Sequence, residues 1–268
     1  KRKSRRNNNN SSISQLDPKK VSTEERLSLV NNNLRELLGE YAFQIDTNII
    51  GKLNKGKKKK FGNDLWRICQ KEDLRNLIEE AEEHIKDAIQ KKTHTVVRET
   101  DGEKIKIDKV VIIDCENVFH DSQFNIDEMI EMIIGLINKG YFVFLIKHKF
   151  TELPNFKRQT SGEQKGKITQ FTRIIEKGDE GSFLDDFFII LLSVIAKKSG
   201  EYYYPSFMTK RNGEVINRKI FKKSFKKCKK FLHGVSIFSE VENSDRETKK
   251  LFIDNLKNVE LNHPNNFV

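Results

Sequence analysis

The sequence is poor in cysteine and has no apolar run of membrane-spanning length. The three cysteines, Cys69, Cys115 and Cys228, lie far apart without pair spacing, so they indicate neither a disulfide framework nor a thiolate zinc site. The longest apolar run, Phe187 to Ala196 interrupted only by Ser193, is about half of what a bilayer span requires. We therefore expect a protein of a reducing intracellular compartment, cytoplasm or nucleus, without a membrane partner; a viral origin is left open.

Motifs of several common enzyme classes are also missing. The six histidines show neither His-Glu-x-x-His nor zinc-finger spacing, and no serine or cysteine lies in a nucleophile elbow. The segment from Gly51 to Lys57 imitates a phosphate-binding P-loop, but Lys58 replaces the required hydroxyl and no buried strand precedes it. His120 and His148 follow predicted strand ends and could approach a site there, although an ordinary polar role is the commoner one.

Positive charge, by contrast, is in excess. The chain of 268 residues carries 50 Lys and Arg against 39 Asp and Glu, which gives a net charge of +11 and a pI near 9.4. Because the excess is concentrated in particular segments, it favours nucleic acid or another polyphosphate as partner. A need for simple solubility, or the Lys, Asn and Ile usage of an A/T-rich genome, would also produce a basic chain.

The first hundred residues predict a lead-in to a larger domain. Residues 1–20 read as a disordered basic arm, and residues 21–108 as a helical and β-hairpin extension. In the extension, a Ser22/Glu25 capping box begins an amphipathic helix that ends at Gly39. After a Gly- and Lys-rich stretch, a second helix is expected from about Asp64 to Lys92, and then a hairpin turns at Asp101-Gly102.

Residues 109–260 predict an α/β domain, followed by a tail at 261–268. Continuous apolar strands alternate with helices, which is typical of a mostly parallel sheet covered on both faces. The expected elements are a strand at Val110–Ile113, a helix at Ile126–Asn138, a strand at Tyr141–Ile146, helices at Ile168–Glu176 and Asp186–Lys198, a strand at Tyr202–Phe207, a basic helix at Val215–Leu232, a strand at Val235–Phe238 and a helix at Asp245–Val259.

Two acidic elements are candidates for a metal site. Asp114 ends the first strand of this domain, and Asn117 follows three residues later. Asp185 and Asp186 begin a very apolar helix. If both elements reach one crevice at the carboxyl ends of the strands, their oxygens could hold Mg²⁺ or Mn²⁺ and activate water for attack on phosphate. The alternative is that Asp114 makes a turn and that one of the pair only caps the helix.

These motifs, in this order, resemble the PIN-like superfamily and in particular its NYN branch, which includes the Regnase ribonucleases. The resemblance covers roughly Lys109 to Phe238 and implies a three-layer domain with a mostly parallel central sheet. It also implies a metal-dependent endoribonuclease in which Asp114, Asp185 and Asp186 match the family's metal-binding acids and Asn117 matches the Asn after the first of them.

The sequence departs from the family pattern after the Tyr202–Phe207 strand. The family has a Ser/Thr-Asn-Asp type of segment there, whereas this chain has Lys210 and Arg211. A lysine in place of a carboxylate removes a ligand and repels a cation. Two interpretations stay open: Lys210 and Arg211 neutralise substrate phosphate in an active site, or the chain is a catalytically lapsed nucleic-acid-binding or scaffold protein.

The predicted basic helix is the second candidate binding element. Its lysines surround an apolar stripe and would contact successive phosphates of a nucleic acid, with RNA preferred to DNA as the partner. They are Lys219, Lys222, Lys223, Lys226, Lys227, Lys229 and Lys230. A merely solvated face is the alternative. A protein partner of the N-terminal helices is a further possibility, and an exposed apolar stripe on the Asp64–Lys92 helix would be its signature.

Overall fold

The computed structural model describes residues 21–45, 47–92, 94–97, 102–115, 126–149, 151, 153, 162–199, 205–208 and 233–235. Several predicted features lie outside these residues: the arm at 1–20, Asn117, Lys210, Arg211, the basic helix at Val215–Leu232 with all its lysines, the helix at Asp245–Val259 and the tail. Those predictions therefore stay predictions.

The first helix confirms its sequence signal. α1 spans Thr23–Leu38, and Ser22 and Glu25 form the expected capping box, because the Ser22 Oγ accepts from the Glu25 amide while the Glu25 carboxylate accepts from the Ser22 amide. Gly39 follows at φ 57°, a conformation that favours glycine, and ends the helix. Short 3-10 helices follow at Gly39–Tyr41 and Thr47–Lys52.

The predicted helix from Asp64 to Lys92 is wrong as a single element. The chain forms α2 at Lys55–Ile68 and α3 at Lys71–Lys91, with a break at Cys69 and Gln70. The carbonyl of Cys69, released from helical bonding by the break, accepts a hydrogen bond from the Asn33 side chain at 3.0 Å. Apolar residues continue at helical spacing on both sides, so periodicity alone could not reveal this tertiary contact.

The predicted hairpin is confirmed. β1 (Thr95–Val97) and β2 (Lys104–Lys106) pair antiparallel, with Thr95 opposite Lys106. Gly102 between them has φ 66°, as expected for a glycine in a tight turn.

The α/β part of the chain contains one parallel sheet. Its strands are β3 (Lys109–Asp114), β4 (Tyr141–Lys147), β5 (Thr172–Glu176), β6 (Pro205–Met208) and β7 (His233–Val235). Every neighbouring pair is parallel, and the spatial order is β5-β4-β3-β6-β7. The mixed α/β class and the parallel sheet that the sequence predicts are confirmed.

Within the described ranges, three helices lie between these strands along the chain: α4 (Ile126–Asn138), α5 (Gly162–Phe171) and α6 (Leu184–Lys198). The helix predicted at Ile168–Glu176 is therefore wrong, because the chain leaves the helix at Phe171 and residues 172–176 pair with β4 as an edge strand. Ile168, Phe171 and Ile175 are buried at spacings that also fit a helix. Only pairing with β4 decides in favour of a strand.

Helices cover the central strands on both faces. All of β4 is buried, and so is β3 after Lys109. α4 and α5 pack together and contact β4, whereas α6 packs on β3, β4 and β6 and is covered in turn by α3. No helix in the part of the chain that the structure describes is long and apolar enough to cross a bilayer.

Candidate functional site

The strand order creates a topological switch point beside β3. β4 and β5 lie on one side of β3, and β6 and β7 lie on the other, so the chain crosses back over the sheet between β5 and β6. In parallel sheets, such a reversal opens a crevice at the carboxyl ends of the strands. Asp114 is the last residue of β3, lies at this position and is only 1% exposed.

The crossing helix α6 brings the second acidic element to the same edge. Asp114 pairs in register with Ile146, two residues beyond Phe144, so all three side chains lie on one face of the sheet. That face is the one under α6, because the His84 ring contacts both Phe144 of β4 and Phe188 of α6. Asp114 therefore points toward the layer that contains Asp185 and Asp186.

The three carboxyl groups interact electrostatically. Asp185 and Asp186 lie in the first turn of α6 and are each 5% exposed. Burial raises the pKa of Asp186 well above its ordinary value, and the negative charges of Asp185 and then Asp114 raise it further. Acids that are 71 residues apart in sequence (185 − 114) thus share one buried location. We call Asp114, Asp185 and Asp186 the acid cluster.

Two oxygens of the acid cluster have no hydrogen-bond partner among the described residues. They are Oδ1 of Asp185 and Oδ2 of Asp186, and both are buried. The other oxygen of Asp185 lies 2.9 Å from Nε2 of His148, which follows β4 at the same edge. The two atoms are within ion-pair distance, and the contact is an ion pair when the His148 imidazole is protonated. Of the two histidines considered at strand ends, His148 lies at the site and His120 is outside the described residues.

A buried carboxylate from the N-terminal helices holds the start of α6. Oδ2 of Asp64, on α2, accepts from the Ser182 hydroxyl at 3.0 Å and from the Phe183 amide at 3.3 Å. The Ser182 Oγ in turn accepts from the Leu184 amide at 3.2 Å. Burial is the main cause of a raised pKa at Asp64. Sequence reasoning missed this residue; its signal was an acid on the apolar side of α2, one residue before the buried Leu65.

Aromatic side chains fix the position of the same helix. The Phe43 ring lies 5.2 Å from the Phe187 ring, and the Phe61 ring lies 5.0 Å from the Phe183 ring. Asn31 holds the segment that carries Phe43, since its side chain both donates to and accepts from the backbone of Ile45. The N-terminal helices are therefore part of the framework that positions the acid cluster.

An ionic network lies on the α3 side of α6. Lys177 Nζ contacts the Glu80 carboxylate and lies 4.4 Å from the centre of the Phe188 ring. His84 also contacts Glu80, at 3.6 Å. The hydrogen bond from His84, followed by that from Lys177, lowers the pKa of Glu80. Glu80, Lys177 and Phe188 also line a cleft of about 280 Å³ between α3 and the first turns of α6.

The acid cluster fits a hard cation in the chemistry of its donors. Buried carboxylates that repel one another, with one oxygen each of Asp185 and Asp186 lacking a hydrogen bond among the described residues, are the environment that Mg²⁺ or Mn²⁺ would neutralise. In the described ranges, however, no three His, Cys, Asp or Glu side chains are arranged to ligate one ion. The predicted residues Asp114, Asp185 and Asp186 thus come together as expected, but they do not by themselves complete a coordination sphere.

The comparisons with known proteins are negative: the chain matches no protein-family model, no curated protein and no solved structure.

Proposed function

We propose that the chain is a metal-dependent endoribonuclease of the NYN/PIN-like type, which cleaves RNA phosphodiesters at the acid cluster. The observation that supports this function best is the meeting of Asp114, Asp185 and Asp186 at the switch point of a parallel sheet. Crevices at that position are where α/β proteins of this topology bind their ligands.

The energetic cost of the acid cluster supports a functional role. Burying like charges together opposes folding, and a group with a strongly perturbed pKa in a crevice is a candidate for catalysis or ligand binding. A helix cap would need one acid with hydrogen bonds to backbone amides, but Phe183 occupies the cap position of α6 and makes no side-chain cap bond. The acids therefore do not serve as a helix cap.

The residues have separable roles in this proposal. Asp114 and Asp186 would hold Mg²⁺ or Mn²⁺, which supplies charge neutralisation at phosphate and a more acidic bound water. Asp185 would add a ligand oxygen while His148 fixes its orientation through the 2.9 Å contact. Asn117 would position water or a ligand, and Lys210 and Arg211 would neutralise substrate phosphate.

A catalytically lapsed nucleic-acid-binding protein is the second candidate. The presence of Lys210 where the NYN pattern has an acid favours it. A protein-recruiting role of the N-terminal helices has less support, because five apolar positions of α3 are buried within the chain itself (Leu74, Ile78, Ala81, Ile85 and Ala88) and Ile89 alone among its large apolar residues is exposed.

Cleavage of a labelled single-stranded RNA tests the proposal. The native chain would be assayed with Mn²⁺, with Mg²⁺ and with a chelator, beside an Asp114→Asn/Asp186→Asn variant. A matched control, Asp127→Asn/Glu83→Gln, changes the same charge at two exposed positions. We expect cleavage that needs the metal and falls about a hundredfold or more in the acid-cluster variant alone, as for the loss of electrostatic stabilisation in other sites.

The same assay separates the two candidates. Salt-sensitive binding of RNA without cleavage, equal in all three proteins, would replace the nuclease with the lapsed binder. Cleavage that survives both substitutions would place the chemistry elsewhere in the chain.

A further inference from the structure

α2 carries an unusual concentration of positive charge at its amino-terminal end. Its first six residues include Lys55, Lys57, Lys58, Lys59 and Lys60, and its first turn contains no acid. Lys58 pairs with Glu24 at 3.0 Å. The other four have no acidic side chain within ion-pair distance among the residues that the structure describes. We call Lys55, Lys57, Lys59 and Lys60 the lysine surface.

The lysine surface opposes the stability of the helix that carries it. Cations are unfavourable at a helix amino terminus, where the macrodipole is positive, and like charges three or four residues apart repel one another. Lys55 and Lys59 have the second spacing, and Lys57 and Lys60 the first. A lysine-rich composition would be accommodated at less cost at the carboxyl end of a helix, so the position of this charge indicates an anionic ligand.

The lysine surface ends beside the turn that precedes Asp185 and Asp186 of the acid cluster. Lys57 and Lys60 lie seven and four residues before Asp64 and therefore on the same side of α2. At 1.5 Å per residue they are about 10 and about 6 Å along the helix axis from Asp64, which bonds the turn before α6. A Cβ placed at Gly181 in that turn would lie 3.4 Å from the Lys60 Nζ. The Lys60 side chain thus covers the turn that carries the chain into Asp185.

We propose that the lysine surface of α2 binds the phosphate backbone of single-stranded RNA and leads the strand to the acid cluster. This inference rests on the proposed function, since the acid cluster is what makes RNA the partner favoured over other polyanions. The lysine surface extends about 8 Å along the helix axis, enough to contact neighbouring phosphates of an extended strand. The contact is to phosphates, so it carries no sequence preference.

Equilibrium binding under conditions without cleavage tests this inference. The full chain would be titrated into a fluorescent single-stranded oligoribonucleotide in the presence of a chelator, across a series of salt concentrations. One variant replaces the lysine surface with glutamine. The control replaces four exposed lysines elsewhere, Lys86, Lys104, Lys106 and Lys165, so both variants lose the same charge.

We expect the lysine-surface variant to bind at least about tenfold more weakly near 0.1 M salt and its salt slope to fall by about 3, since each contact to a single strand contributes about 0.7. The control should keep most of the native slope. The lysine-surface variant should also melt at the native temperature or above it, because it removes repulsion within α2. That readout excludes unfolding as the cause of weaker binding.

The outcomes distinguish this inference from the proposed function. If both variants bind alike, the lysine surface does not contact RNA, whether or not the native chain cleaves. If only the lysine-surface variant loses binding while no protein cleaves, the surface is upheld and the nuclease activity fails. Preferential loss of binding to vesicles of an anionic phospholipid, with RNA binding intact, would overturn the inference in favour of a lipid surface.

Discussion

Asp186 is a carboxyl group buried beside two others, and this placement works against folding when no cation is present. Its raised pKa means that the native state retains the proton at a pH where the unfolded chain has lost it. Stability contributed by the protonated group is fully present below the unfolded pKa of about 3.9, and it is lost as pH rises toward the native value. A bound divalent cation would reverse this relation, because it favours the ionised form.

We predict that Asp186→Asn stabilises the metal-free chain at neutral and alkaline pH. The amide has nearly the same shape but no charge, so the repulsion from Asp185 and Asp114 disappears. A gain of about 1–3 kcal/mol is expected, similar to that seen when buried charged side chains are replaced by uncharged ones of the same volume. Thermal melts in chelator from pH 4 to pH 9 would measure it, and the difference between the two proteins should shrink toward pH 4.

The converse holds when metal is added. Mn²⁺ should raise the melting temperature of the native chain and have little effect on the Asp186→Asn variant, because a ligand that binds only the native state stabilises it by mass action. Equal shifts in both proteins would contradict a cation at the acid cluster.

At the scale of the element, the start of α6 depends on the compact turn from Lys177 to Phe183. Gly178 has φ 69°, and a Cβ at this position would lie 2.5 Å from the Ser182 Oγ. Ser182 is the residue that joins Asp64 to the first amides of α6. The turn therefore transmits the position of α2 to the acid cluster.

We predict that Gly178→Ala lowers the free energy of unfolding by about 2–4 kcal/mol, since the new methyl group meets the Ser182 side chain as well as an unfavourable φ. Gly102→Ala is the matched control: Gly102 has φ 66°, but a Cβ there meets nothing within 4 Å, so only the backbone cost of about 1 kcal/mol applies. Urea denaturation measures both. An equal decrease in the free energy of unfolding in both variants would show that the Ser182 side chain moves at no cost to make room for the new methyl group, which would contradict this prediction.

At the scale of the whole molecule, the N-terminal helices and the α/β part form one packed body around α6. α3 covers α6, Phe43 and Phe61 contact aromatic side chains at its start, and one ionic network joins α3 to the turn after β5. The sequence boundary near residue 108, where the hydrophobic pattern changes, does not mark a gap in this packing.

We predict that a chain beginning at residue 93 does not fold cooperatively. Removing α1 to α3 would expose the Phe187 and Phe188 side of α6, which is fully buried in the intact chain. Circular dichroism and binding of an apolar dye would report the expanded state. A chain beginning at Val21, which retains every described element, is the control and should melt like the full chain.

The ionic network around Glu80 predicts that part of the stability of the fold is lost at acid pH. The pKa of Glu80 is lowered by His84 and by Lys177, so its contribution to stability is present above the unfolded pKa of about 4.3 and is lost as pH falls through the native value. Because Glu80 is partly exposed, we expect Glu80→Gln to cost only about 0.5–1 kcal/mol at pH 7, and less at an acid pH where the native carboxylate becomes protonated. Glu83→Gln, on the exposed side of α3, should have no effect at either pH.

The sequence predicted those features whose signals are local. The capping box of α1, the hairpin glycine and the buried strands β3 and β4 depend on neighbours within a few residues, and parallel-sheet geometry then brought Asp114 close to Asp185 and Asp186. The break at Cys69, the strand β5 and the role of Asp64 depend on partners more than 25 residues away in sequence. The residues at these three places also fit the hydrophobic spacing of a continuous helix, so periodicity alone could not reveal the break, the strand or the contact of Asp64.

The hydrogen bond between Asp64 and Ser182 also has a consequence for the order in which the parts of the site form during synthesis. Its partners are separated by 118 residues, so a ribosome making about 5–20 residues per second exposes the second partner roughly 6 to 24 s after the first. Throughout that interval Asp185 and Asp186 have not yet been synthesised, and Asp64 of α2 lacks its hydrogen-bond partners Ser182 and Phe183. A chain still being translated therefore carries its lysine surface long before its acid cluster is complete, and under the two proposals made above it would bind the attached messenger RNA before it could cleave it.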